Sequence, residues 1–110
     1  MENFNGFKHT EFKAYVLTGA AADYVIPEPS DIASLGPATD IVHSRVDELQ
    51  VAGAPGNLGA IYVELTGVAT VASLVLRPGE HQTISGAGKT TLSALAAGAG
   101  DILEIIALYR

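Results

Sequence analysis

The chain is cut into short apolar runs by turn-forming residues, and this limits what it can fold into. Phe12 to Thr18 is closed by Gly19, and Asp23-Tyr24-Val25-Ile26 by Pro27 and Pro29. Ile41 to Val51 follows a loop containing Gly36-Pro37, and Ala60 to Leu65 lies between Gly59 and Gly67. Ser73-Leu74-Val75-Leu76 stops at Pro78-Gly79, and Gln82-Thr83-Ile84 ends at Gly86. Leu92 to Ala97 runs into Gly98-Ala99-Gly100, and Asp101 to Tyr109 closes the sequence. Seven or eight such runs at close spacing, rich in β-branched and aromatic residues (Tyr15-Val16, Tyr24-Val25-Ile26, Ile61-Tyr62-Val63), predict an all-β fold. The expectation is one antiparallel β-sandwich domain, jelly-roll-like, over residues 12–110. It is preceded by an extended N-terminal arm over residues 1–11.

Three segments read ambiguously. In Asp40 to Gln50, Val42, Val46 and Leu49 fall at helical spacing with Asp40 as a cap, yet a strand carrying Arg45, Asp47 and Leu49 on one face fits equally. Its neighbours favour the strand. Asp31 to Leu35 reads as one helical turn capped by Ser30 and stopped by Gly36. Leu92 to Ala97 has helix-friendly composition, but a helix that short contributes little stability by itself. The closing run Ile102 to Tyr109 is apolar on both faces apart from Glu104, which suits a strand buried between a sheet and another layer, or between subunits.

With 110 residues there is room for one domain and a modest core. Charged residues are 16%, below the roughly 25% of an average soluble domain. The surface is therefore poor in charge, or other chains cover part of it. Lys plus Arg total 6 against 12 Asp plus Glu, a net charge of -6 that opposes nucleic-acid binding, which needs clustered cations. Cysteine is absent, so disulfides, thiol nucleophiles and Cys-based zinc sites are excluded. The N-terminus lacks the basic and apolar regions of a signal peptide, and no run approaches the roughly 18 apolar residues of a spanning helix. These features suit a soluble protein made in a cytoplasm.

Few residues invite a chemical reading. Ser85-Gly86-Ala87-Gly88-Lys89-Thr90-Thr91 ends like a phosphate-binding loop, but Thr83 stands where that motif places its first glycine, and a Gly-rich β-turn fits better. His9, His43 and His81 lack metal-ligand spacing. His43 and Asp47 could join a serine in a triad on paper, but no nucleophile elbow is present. The acidic pairs Asp47-Glu48 and Glu28/Asp31 read as solvated loop carboxylates. No catalytic residue, metal site or cofactor is expected, and the chain is read as a non-enzyme.

The N-terminal stretch is more informative. All three phenylalanines, Phe4, Phe7 and Phe12, lie within it, alternating with polar residues. Aromatics are favoured anchors at interfaces, so the arm is expected to lay Phe4 and Phe7 on a neighbouring chain. Phe4, Phe7, Phe12 and Tyr109 are the candidate interface residues.

The stretch Val46 to Val63, with its Pro55-Gly56-Asn57-Leu58-Gly59 turn leading into Ile61-Tyr62-Val63, resembles small virion proteins of tailed bacteriophages. So do the Leu76-Arg77-Pro78-Gly79-Glu80 turn and the opening Leu17-Thr18-Gly19-Ala20. The chain departs from that pattern at Glu64, where a glycine often stands. The resemblance implies a β-sandwich capsid or tail component present in several copies. Within it, the capsid decoration (cement) type fits best: a homo-oligomer, by resemblance a trimer, bound to the major capsid protein on the outer virion surface. The acidic balance points the same way, to a place outside the genome container. A tail, neck or fibre component, or a sugar-binding module using Tyr15, Tyr24, Tyr62 and Tyr109, is the second reading.

Overall fold

A computed structural model of the chain describes residues 9–27, 46–85 and 89–109. They form eight strands and no helix: β1 (His9–Thr18), β2 (Ala22–Val25), β3 (Val46–Gly53), β4 (Ile61–Glu64), β5 (Leu74–Leu76), β6 (His81–Ser85), β7 (Thr91–Ala96) and β8 (Ala99–Tyr109). Sheet A has the order β1-β8-β3-β6 and sheet B the order β2-β7-β4-β5, with every pair antiparallel. β1 pairs with β8, β2 with β7, β3 with β6 and β4 with β5, so the chain is one long hairpin rolled into two sheets. This is the jelly-roll arrangement, and the all-β sandwich read from the sequence is the fold found. Leu92 to Ala96, the body of the run with helix-friendly composition, lies in the interior strand β7.

Alternation builds the core. Leu49, Val51, Leu103, Ile105, Ala107 and Tyr109 face inward from sheet A. Ile61, Val63, Leu76, Leu92, Ala94 and Ala96 face them from sheet B. No tryptophan or phenylalanine enters this described core, which is assembled from aliphatic side chains and tyrosine. Val46 also faces inward, although three positions separate it from Leu49. A β-bulge permits this: Val46 pairs with Tyr109 and Glu48 with Leu108, so Asp47 is an extra residue on β3. Leu49 thus shares its inward face with Val51 and, across the bulge, with Val46.

A second register shift lies where β8 begins. Val16 pairs with Ile102 but Thr18 with Ala99, and Gly100 inside the shift takes a φ of 102°. Its positive φ favours glycine there.

The turns follow their residues. Pro78 and Gly79 occupy the central positions of a turn closed by the Glu80 N–H on Arg77 O at 2.9 Å. Gly79 has a φ of 83°, as the second central residue of a type II turn requires. The Glu80 carboxylate accepts the Arg77 N–H at 2.8 Å. Residues 54–60 join β3 to β4 across the two sheets, and Asp101 and Asn57 hold them. Asp101 accepts the N–H groups of Leu58 (2.9 Å) and Gly59 (3.2 Å), while Asn57 pairs with the backbone of Ile102.

β1 begins at His9, so residues 9–11, expected in the arm, belong to the sandwich. Residues 1–8, and the helical turn expected at Asp31 to Leu35, lie outside the described residues.

Candidate interaction surface

The outer face of sheet A carries the most unusual chemistry of the described surface. Cross-strand register sets its side chains in rows. Thr10, Leu108 and Glu48 form one row, and Phe12, Ile106, Gln50 and Thr83 the next. Ala14, Glu104, Ala52 and His81 form a third, with Val16 beside Ile102 beyond it. Phe12 is 58% exposed and Val16 66%. With the half-buried Ile102, Ile106 and Leu108 they make an apolar strip along β1 and β8. A strip of this kind marks an interaction site more often than a scattered exposed aliphatic does.

The small residues Ala14 and Ala52 flank Glu104 and leave the third row low. Beside it lies an open depression of about 270 Å³ lined by Gln50, Ala52, His81, Glu104 and Ile106. Glu104 is the single ionisable side chain of β8's outward row, set between apolar neighbours on its own strand.

The opposite side of β1 has another character. Glu11, Lys13 and Tyr15 share a phase with buried Leu17, but at the edge of the sandwich. The Tyr15 hydroxyl donates to Val25 O at 2.6 Å, and its ring lies 5.1 Å from that of Tyr24. Lys13 Nζ stands 5.6 Å from the Tyr15 ring centroid. Burial pushes the Tyr15 phenol above its ordinary value. Inward-pointing charge on an edge strand is a usual guard against further strand pairing.

Apolar side chains also project from two pinned loops. Leu58 is 96% exposed at the tip of residues 54–60. Val68 and Val71 project from the β4–β5 loop, which is tied to sheet B by the Ala69 N–H on Ser93 Oγ at 2.9 Å. Leu58 sits at the end of the sandwich where β8 starts, and the two valines at the end where β1 starts.

Of the candidate interface residues, Phe12 lies on the apolar strip. Tyr109 does not: it is 1% exposed and its hydroxyl donates to Pro27 O at 2.5 Å, so it belongs to the core. Its parity with Ile105 and Ala107 turns it inward, although it stands near the chain end. Phe4 and Phe7 lie outside the described residues. The sequence reading missed Val16, Ile102, Ile106 and Leu108 as individual surface residues. Their signal was the two-sided apolarity of the last run.

Other sequence candidates are dispersed. Lys89 and Thr90 are exposed, with residues 86–88 of that loop outside the description. His81 lies exposed on β6, Glu48 on the outer face of β3, and His43, Glu28 and Asp31 outside the described residues. Among the described residues, no three His, Asp or Glu side chains gather in a way that could hold a metal ion. Tyr62 is half-buried, and Tyr15 and Tyr24 are engaged with each other.

No protein-family model matches the chain, and no curated protein matches it. A chain from the solved structure of Bacillus endospore appendages, described as a novel family of disulfide-linked pili, shares the fold. Its TM-score is 0.52 at 15% identity, over 92% of this chain and 85% of that one. At that identity the likeness establishes architecture alone.

Proposed function

We propose that this chain is a structural subunit that works by packing its outer sheet-A face against copies of itself. Its finer role, on this reading, is that of a capsid decoration protein of a tailed phage, seated on the outer shell and bridging major capsid subunits. The action is passive: apolar surface leaves water on docking, and no bond is made or broken. The observation that carries the reading is the strip of Phe12, Val16, Ile102, Ile106 and Leu108 on an otherwise regular sheet face. Obligate interfaces are apolar in this way, resembling a domain core cut in half.

Two further features support it. A sandwich of this architecture occurs in the Bacillus appendage structure, described as disulfide-linked pili. That structure is described as disulfide-linked, whereas this chain has no cysteine, so any assembly it forms is held without disulfides. The net charge of -6 suits the outside of a particle over contact with packaged nucleic acid.

The test is the mass of the full chain by sedimentation equilibrium at micromolar concentration, followed by co-sedimentation with empty phage shells that lack decoration. The reading expects oligomers and saturable binding to the shell. A monomer at every concentration would overturn the structural role, and oligomers indifferent to shells would overturn the decoration role.

A further inference from the structure

The outward rows of sheet A hold three titratable side chains, Glu48, Glu104 and His81. Glu104 is half-buried on β8, and His81 stands exposed on β6 in the same row, with Ala52 of β3 between them. Two strand spacings, about 9–10 Å, separate their backbones. Among the described residues neither side chain has an ion-pair or hydrogen-bond partner. A copy covering this face dries Glu104, and a covered charge left unpaired is far more costly than one left in water. The other described cations are placed elsewhere. Lys13 lies over the Tyr15 ring on the opposite side of β1, Arg77 pairs with Glu80 at 3.7 Å, and Lys89 leads into β7 of sheet B. His81 is the cation that the face itself supplies.

The relief of the face points the same way. β8 presents Ile102, Glu104, Ile106 and Leu108 as a ridge, and Ala52 of β3 lies low beside it in the depression shared with Gln50 and His81. The ridge of one copy therefore matches the hollow of another.

Symmetry selects the orientation. Two equal faces stack through a two-fold axis lying in the plane of contact. An axis running across the strands sets β8 over β8, so Glu104 meets Ile102, Ile106, Leu108 or its own counterpart and no cation. An axis running along the strands keeps every row in step. Placed at the sheet centre, between β8 and β3, it lays β8 over the partner's β3 and β1 over the partner's β6. Phe12 then covers Thr83, and Glu104 enters the depression over Ala52, one strand from His81. With about 10 Å between sheets and 4.8 Å between strands, the Glu104 and His81 Cα atoms of the two copies lie about 11 Å apart, within reach of the two side chains.

We propose that two copies pack their outer sheet-A faces about this axis, with Glu104 of each paired to a protonated His81 of the other. The inference rests on the self-packing reading above and fixes its orientation. The pairing makes association proton-linked. Around His81 lie Ala52 and Gln50 of β3, Glu80 held by Arg77 in the preceding turn, and, once docked, Ala14 and Glu104 of the second copy. Imidazole changes charge between about pH 5 and 8, so docking takes up protons and tightens as pH falls through that range.

Sedimentation equilibrium of the full chain at about pH 8 and about pH 6 tests this, and the wild type should dimerise about tenfold or more tightly at the lower value. His81→Lys should associate equally well at both, and His81→Gln should lose the dependence. His81→Glu and Glu104→Lys should each weaken association by about tenfold or more, as expected of close interfacial charge pairs. Mixing those two variants should raise the mass above that of either alone, because in the mixed dimer both contacts join opposite charges. Circular dichroism checks each fold. A pH dependence that survives in His81→Gln, or a mixture no heavier than its components, would overturn this pairing while the self-packing role stands. A monomeric wild type at both pH values would overturn both.

Discussion

Asn57 pairs through its side chain with both backbone groups of Ile102: Nδ2 donates to Ile102 O at 2.9 Å, and the Ile102 N–H donates to Oδ1 at 2.7 Å. The carboxamide thus does for β8 what the backbone of a neighbouring strand would do. Ala54 N–H shares the same carbonyl at 3.2 Å, and Asp101, one residue earlier, holds Leu58 and Gly59. Together these bonds fix residues 54–60 against the start of β8. Leu58 is consequently presented on a rigid loop.

Asn57→Asp should be destabilising by about 1–3 kcal/mol, the cost of removing a partly buried donor and turning an acceptor toward Ile102 O. The new carboxylate would also approach Asp101. Urea unfolding measures the loss, and amide exchange at Leu58, Gly59 and Ile102 should quicken in the same variant. Unchanged exchange at these three amides would mean that the loop is held by something else.

Gly53 is fixed by its surroundings. A Cβ there would lie 3.1 Å from Arg77 O and 3.4 Å from Asn57 Nδ2. The Gly53 carbonyl accepts the Gly79 N–H at 2.9 Å, and its N–H donates to Glu80 O at 3.0 Å, so the neighbouring backbone cannot easily retreat. Gly53→Ala should cost about 1–3 kcal/mol. Gly56→Ala, where a Cβ meets nothing within 4 Å, is the control and should be neutral or stabilising by a few tenths. Equal midpoints in denaturant for the two variants would contradict this account.

Much of the architecture was legible in the sequence because turn chemistry and strand alternation agree along most of the chain. The Pro78-Gly79 turn is one instance, and the two-sided apolarity of β8 is another: its inner row fills the core and its outer row forms the strip. Two ambiguities, each resolved as a strand, and one misplacement have local causes. The helical spacing of Val46 and Leu49 comes from the Asp47 bulge, which lets residues three apart share a face. The alanines of Leu92 to Ala97 suggest a helix, yet Ala94 and Ala96 are small residues packed between sheets, where tertiary context overrides propensity. Tyr109, a candidate interface residue by sequence, lies in the core. Its parity with Leu103, Ile105 and Ala107 already pointed inward.

Tyr15 makes alkaline stability testable. Burial raises its phenol pKa above the ordinary 10.0, so the folded state holds the proton more tightly than the unfolded chain does. By linkage this contribution is fully present below about pH 10 and is lost as pH rises through the folded value. Ionisation also removes the donor to Val25 O. Stability should therefore fall above pH 10, and Tyr15→Phe should flatten part of that fall. Thermal melts of both proteins at rising pH provide the check, and parallel curves would exclude Tyr15 as the source.

Phe12 and Tyr109 were assigned alike from sequence, and the structure gives them opposite duties, which two substitutions can separate. Phe12→Thr keeps a strand-forming residue on an exposed position, so stability should change by about 0.5 kcal/mol or less. Association should weaken, because the strip loses its most protruding aromatic. Tyr109→Phe keeps the buried ring but removes the hydroxyl that donates to Pro27 O. It should cost about 0.5–1.5 kcal/mol of folding stability and leave the degree of association unchanged once folded. Denaturation and sedimentation on the same two proteins resolve the matter. If Phe12→Thr unfolds more readily while its mass in solution stays that of the wild type, the outer face of sheet A is a cover for the fold and not a docking surface.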